Sequence, residues 1–413
     1  MKGIFIILFL SYSLYGQTAV VKPGLTMDQA LMAALGKNFE IVKSKSYVDA
    51  ARGHFWSSIS LPKPTISLSH EFVPDGRPLS AFQERTFEIN QSLEFPTNYF
   101  LKGHQAGYAI KEAENEVNRN ILEISSKVKL FYRQALIKKK SLDLAEENYK
   151  IAKAFLEKAE LKQKAGEGTR LESVTASMQL NEALSGLETA KKEMQNSYNE
   201  LIALLNSKEI TNVHPELTDT LKFEPLNANF DDLLADAVIN NNDLKKSSNN
   251  VNIASVNKSL AWSSLLPDLN ISYYRQALPE SSSFYGFSFG ISVPVWFLFD
   301  QRGQIQESAA NYSIAQEELK AVRNQLELKL RSAFTSFSYE QAQIMHYTGQ
   351  LIPQAEEIFK LAKASYDSGE INYVEFLQAK QSLIGIKNNY FNSLSSYYSS
   401  LSALETAIGK LML

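Results

Sequence analysis

Five histidines, His54, His70, His104, His214 and His346, are the side chains of this 413-residue chain best suited to ligate a metal or move a proton near neutral pH. None stands four residues from another, so no His-x-x-x-His pair can share a helical face. The absence of cysteine removes thiolate ligands, cysteine nucleophiles and disulfides. Gly166-Glu167-Gly168 has the glycine content of a phosphate loop, yet no Lys-Ser/Thr follows and no strand precedes it. It reads better as a turn between helices, where glycine takes the left-handed conformation. The many lysines and glutamates read as the solvated flanks of amphipathic helices. The pattern therefore predicts no catalytic residue, no cofactor and no bound metal. One polar series has a spacing that matters: Glu88, Asn90, Ser92 and Glu94 recur at a period of two against Phe87, Ile89, Leu93 and Phe95. Such alternation makes a two-faced strand, with Gln91 the one polar residue on the apolar side.

Composition narrows the class. With 42 basic and 45 acidic residues the formal charge is -3, which argues against a polyanion-binding surface and against nucleic acid as a partner. A chain that is 44% hydrophobic is too apolar for disorder. A mean hydropathy of -0.22 is too polar for a bundle of membrane helices. Met1-Lys2, an apolar run from Ile4 to Leu10 and the small residues Ser11, Ser13 and Gly16 read as a signal peptide over 1–18. No later window has the roughly 18 apolar residues of a spanning helix.

The elements that position these residues occur twice. Met27-Asp28-Gln29-Ala30-Leu31 lies against Phe230-Asp231-Asp232-Leu233-Leu234, and Pro64-Thr65-Ile66-Ser67-Leu68 against Pro267-Asp268-Leu269-Asn270-Ile271. Gly166-Glu167, Glu172 and Ala176 match Gly369-Glu370, Glu375 and Ala379. A shared offset of about 200 residues marks a tandem duplication. The expected organisation is a first repeat over 19–206, a linker over 207–228 and a second repeat over 229–413. Each repeat opens with one helix, about Thr26 to Ser60 and Asn229 to Leu265, stopped by proline. Strand hairpins follow over 65–95 and 269–296, the last strand including Val293 and Val295. Next come long helices: Ile121, Ile124, Val128, Phe131, Ala135, Leu142, Ala145, Tyr149, Ala152, Leu156 and Ala159 form a heptad seam, and Leu326 to Leu361 repeat it. Roughly 65 residues of helix reach about 100 Å. Each long helix turns back near 166 or 369, and Pro353 should bend the second.

Strands of about ten residues suit a tilted crossing of a bilayer. Four cannot close a barrel, and an open edge in lipid would leave backbone groups unsatisfied. Three copies supply about twelve strands, so a homotrimer is expected. Glu88, Asn90, Ser92 and Glu94 would then face a lumen and the phenylalanines lipid.

These features, together with Leu25-Thr26-Met27-Asp28-Gln29-Ala30-Leu31 and the run Tyr366-Asp367-Ser368-Gly369-Glu370-Ile371-Asn372-Tyr373-Val374-Glu375-Phe376-Leu377-Gln378-Ala379, resemble the TolC family of outer-membrane efflux channels. The elements Tyr-x-x-Gly-Glu and Glu-Phe-Leu-Gln-Ala are most similar to the branch paired with heavy-metal resistance-nodulation-division pumps. The resemblance implies a mainly helical trimer with a 12-stranded barrel in the outer membrane of a Gram-negative-type bacterium and an α-barrel in the periplasm. It implies a passive exit duct for a periplasmic adaptor and an inner-membrane pump, with heavy-metal cations the favoured cargo. Drug efflux, type I protein secretion and a non-conducting periplasmic tether are the alternatives. It implies adaptor docking at Gly166, Glu167, Gly168, Gly369, Glu370 and Ile371, and a periplasmic gate at Tyr366, Glu375 and Gln378. Ile371 stands where relatives sometimes carry a basic gate residue, and Gln378 where an acid is common. Glu172, the first-repeat equivalent of Glu375, has no evident gating role in this reading.

Overall fold

The computed structural model describes residues 24–205, 216–278 and 283–412. The signal segment, most of the second strand-hairpin loop, and the beginning of the linker with His214 lie outside the described residues.

Thr26 starts the first helix, α1 (Met27–Lys37), with a capping box: its hydroxyl accepts the Gln29 N–H at 3.3 Å, and the Gln29 side chain accepts the Thr26 N–H at 3.0 Å. The single helix expected here is in fact two. Asn38 is extended and accepts the Glu40 N–H at 2.9 Å, ending α1 and capping α2 (Phe39–Ser58). In the second repeat Asn241 separates α5 (Phe230–Asn240) from α6 (Asn242–Ser263) and accepts the Leu244 N–H at 2.9 Å. An asparagine side chain competes with the helical backbone for its own neighbours, so both repeats break at the matching asparagine.

The long helices are α3 (Pro96–Lys164, 69 residues) and α4 (Arg170–Leu205) in the first repeat. In the second they are α7 (Asp300–His346), a π-helical segment Tyr347–Leu351, α8 (Ile352–Ser368) and α9 (Tyr373–Ile408). Side by side these form a single-layer wall. In the half nearer the strands the order is α2, α3, α6, α7; in the half nearer the turns it is α4, α3, α9, then α8 with the end of α7. The two tiers meet where α9 ends against the start of α6. There Asn241 donates to the Ala407 carbonyl at 2.9 Å, and Gly409, at φ +85°, lies so close that a Cβ would sit 2.5 Å from the Asn240 carbonyl oxygen.

Six strands occur among the described residues. β1 (Gly24–Leu25) pairs in parallel with β4 (Glu216–Leu217), which falls within the expected linker. The rest of the described linker is held by tyrosines: Tyr132 donates to the Leu25 carbonyl at 2.7 Å and accepts the Asp219 N–H at 3.4 Å. Tyr397 and Tyr398 donate to the carbonyls of Glu224 and Lys222 at 3.1 and 2.8 Å. Burial raises Tyr132 to about 12. Leu201, Leu205, Leu330, Phe337, Leu394, Leu401 and Leu404 fill the core of this middle region.

The other four strands, β2 (Thr65–Glu71), β3 (Glu84–Leu93), β5 (Asp268–Ala277) and β6 (Phe284–Ser292), form one antiparallel sheet in that order. β6 stops before Pro294, so Val293 and Val295 are not strand residues.

Candidate functional site

Directly opposed residues of an antiparallel ladder share a face. The register sets Glu88 opposite Tyr274, Asn90 opposite Ser272 and Ser92 opposite Asn270. These three therefore share one polar face of the sheet. Glu94 does not join them as expected: β3 ends at Leu93, and the Glu94 carboxylate accepts from Lys102 at 2.6 and 2.7 Å. The opposite face carries Ile66, Leu68, Phe87, Ile89, Leu269, Ile271, Tyr273, Phe287, Phe289 and Ile291. Phe289 is 78% exposed and Ile66 66% in one chain, which is costly apolar area to leave in water.

At the other end lie the two helical turns. Gly166 takes φ +76°, and the N–H groups of Glu167 and Gly168 both donate to the Lys162 carbonyl, at 2.9 and 3.0 Å. Gly369 takes φ +82°, and Glu370 and Ile371 donate to the Ser365 carbonyl at 2.8 and 3.3 Å. Both turns satisfy the orphan carbonyls of a helix end through a left-handed glycine.

Just behind the turns the two helical hairpins are joined by an aromatic cluster. The Phe155 ring of α3 stacks on Phe376 of α9 with centroids 4.6 Å apart, and lies 4.8 Å from Tyr366 of α8 and 5.0 Å from Tyr373. Ala159 and Ala176 leave room for these rings. Tyr366 is buried, and its hydroxyl donates to the Glu172 carboxylate at 2.7 Å. Burial, then Glu172, pushes the phenol far above its ordinary range. The ammonium groups of Lys158 and Lys162 lie 5.0 and 4.8 Å from the Tyr366 ring centroid, and Lys158 pairs with Asp367 at 2.8 Å. That hydrogen bond holds Asp367 below the usual carboxylate range.

Thus Tyr366 meets Glu172 rather than Glu375. Glu375 is exposed and completes the cap of α9: its N–H donates to Asn372 at 3.0 Å and its carboxylate accepts from the Asn372 amide at 2.9 Å. Gln378 is also exposed. Glu172 stands in the equivalent first-repeat position, its N–H donating to Thr169 at 3.2 Å. A capping pattern marks both acids in the sequence; only the packing of one hairpin on the other distinguishes them. Among the described residues no three His, Asp or Glu side chains gather as metal ligands would, and no helix is long and apolar enough to cross a membrane.

Residues 233–410 match the family described as outer membrane efflux protein. The match lies within the second half of the chain. A curated relative is the cobalt-zinc-cadmium resistance protein CzcC of Cupriavidus metallidurans, 19% identical over 94% of this chain and 90% of that one. Among solved structures, the outer membrane protein VceC from Vibrio cholerae superposes with a TM-score of 0.77 at 18% identity, covering 93% of this chain and 96% of the other. CusC, described in terms of transmembrane channel formation, gives 0.76 at 15% identity and covers 96% of each chain. Over nearly its whole length the chain shares the fold of these proteins, long helices and two-faced sheet together.

Proposed function

We propose that three copies of this chain close a twelve-stranded barrel and a continuous helical tube, forming the exit duct of a tripartite efflux system. The observation that carries this reading is the sheet with two unpaired edges, β2 and β6, and one exposed face with a broad apolar band. In lipid each unpaired backbone group costs several kcal/mol. β2 and β6 run in opposite directions, so β6 of one copy can pair antiparallel with β2 of the next and remove every edge. The edge helices support the same closure: α4 exposes Leu171, Val174 and Met178, and α8 exposes Ile358 and Leu361.

In this arrangement Glu88, Asn90 and Ser92 line the lumen. The turns at Gly166–Gly168 and Gly369–Ile371 meet a periplasmic adaptor, which couples the duct to an inner-membrane resistance-nodulation-division pump that supplies the energy. The Tyr366–Glu172 bond and the aromatic cluster hold the second hairpin against the first in a closed entrance. Glu375 and Gln378 lie on the exposed side of α9, where threefold symmetry could gather them around the axis. Likeness to the cobalt-zinc-cadmium resistance protein favours divalent heavy-metal cations as cargo.

The test is sedimentation of detergent-purified protein, followed by planar-bilayer conductance and by cobalt, zinc and cadmium sensitivity of a strain lacking the gene. Three copies, a conducting pore and metal hypersensitivity are expected. A monomer soluble without detergent would overturn the duct. Hypersensitivity to organic toxins with unchanged metal tolerance would overturn the cargo.

A further inference from the structure

The end of the sheet farthest from the helices sorts its charges by face. On the polar face stand Glu71 and Glu84, directly opposed, with Glu88 beyond them. Glu84 is engaged there by Gln276. On the apolar face the same level carries His70 opposite Arg85, Arg85 opposite Ala277, and Arg275 opposite Phe87. Arg85 and Arg275 are therefore diagonal neighbours on one face, within reach of a single ligand. Both are exposed, and among the described residues neither guanidinium has a carboxylate within 4.0 Å. The ring of Phe82 packs between His70, at 5.0 Å, and Arg85, at 5.3 Å, so the loop braces two of the three basic groups.

Directly below them begins the apolar band. Phe87, Ile89 and Leu93 in β3, Tyr273 and Ile271 in β5, and Phe287 to Ile291 in β6 continue for about 20 Å along the strands. Tyr285, 73% exposed, stands opposite Arg275 at the upper border. Guanidinium groups above a tyrosine border and an apolar band sit at headgroup depth, where a bidentate donor matches phosphate oxygens. Each strand carboxylate at this level, Glu71, Glu84 and Glu88, lies on the opposite face.

We propose that Arg85 and Arg275, with His70 beside them, form a binding site for a phosphorylated lipid headgroup of the outer leaflet, one site per protomer. This rests on the barrel reading above. The site grips lipid that surrounds the duct, while the acidic inner rim stays free for cationic cargo.

The experiment uses full-length protein in nanodiscs of zwitterionic phospholipid, to which bis-phosphorylated lipid A or its dephosphorylated form is added. Bound lipid is counted by native mass spectrometry, and insertion is checked by trimer mass. Retention of about three phosphorylated lipids per trimer is expected. Arg85→Gln with Arg275→Gln should weaken that retention about thirtyfold, since each surface charge contributes about a five- to sixfold step. Arg85→Lys with Arg275→Lys should retain more than the glutamine pair, and Glu71→Gln with Glu84→Gln should leave retention unchanged. Equal retention of both lipid A forms, or by the parent and the glutamine pair in trimers that insert normally, would overturn the site while leaving the barrel intact. Capture of inorganic phosphate from solution without preference for the lipid would overturn it too. Failure to insert at all would overturn the barrel and the site together.

Discussion

The two long helices of this chain occupy matching places about 200 residues apart, yet they are built differently. α3 runs 69 residues without interruption. Its counterpart covers the same span as α7, a five-residue π segment and α8, with Pro353 in the first turn after the π segment. Lys150 occupies the matching place in α3. Proline lacks the N–H that an α-helix needs and collides with the preceding turn; one wide turn relieves both problems and leaves a local weak point. The aromatic residues are divided unevenly as well. Tyr366, Tyr373 and Phe376 belong to the second hairpin, where the first has Gln163, Arg170 and Ser173. Phe155 and Glu172 are what the first hairpin offers in return. A continuous rod thus presents a socket, and an interrupted rod carries the rings that fill it.

The largest effect on this asymmetry is expected from Phe155→Ala, which removes the ring that three second-hairpin aromatics touch. It should cost about 3–5 kcal/mol of local stability at the turns. Hydrogen exchange should speed up around Tyr366–Phe376 far more than in the middle region; equal change in both would mean that the cluster does not join the hairpins. Giving the first rod the second rod's flaw, Lys150→Pro, should cost about 3 kcal/mol, read as a lowered denaturation midpoint and faster exchange in the flanking turns. No loss would show that α3 tolerates the interruption equally and that Pro353 has no mechanical meaning.

Lys380 offers a comparison by pH. It is buried on α9, where the matching residue of α4 is Ser177, and burial lowers it from 10.5 to about 8 while Glu182 opposes the shift. Between about pH 8 and 10.5 the unfolded chain holds a proton that the folded chain has released, so stability should rise with pH across that window. Lys380→Met should abolish the rise in urea titrations; a parent protein with flat stability there would disprove the burial effect. The smallest effect belongs to Tyr366→Phe. It removes one hydrogen bond to a carboxylate that water can reach, about 1 kcal/mol, and keeps the ring. If the bond holds the entrance closed, bilayer recordings should show longer open times with unchanged trimer mass; identical gating would leave closure to the rings alone.

Much of the architecture could be read from the chain because it is periodic. Alternation at two fixed both faces of β3, heptads located α3 and α7, and the offset between Gly166 and Gly369 found both turns, since a left-handed residue at a helix end all but requires glycine. The breaks at Asn38 and Asn241 were missed because apolar periodicity runs through them, while a single side chain's hydrogen bond decides the issue. The β1–β4 pair was missed because two residues carry no period.

The sequence by itself determined the local elements: where helices run and turn, which face of each strand is apolar, and that the unit is doubled. These follow from spacing within one segment. Tertiary structure alone decided which of two equivalent glutamates receives the Tyr366 hydroxyl, and which basic residue of another strand joins Arg85 on the face of Phe87. Glu172 and Glu375 sit in the same capping pattern and look alike along the chain. Their difference arises from a packing partner 194 residues away for one and solvent for the other. Arg85 and Arg275 likewise become neighbours only through the pairing of β3 with β5, and such long-range register is set by the whole sheet rather than by either strand.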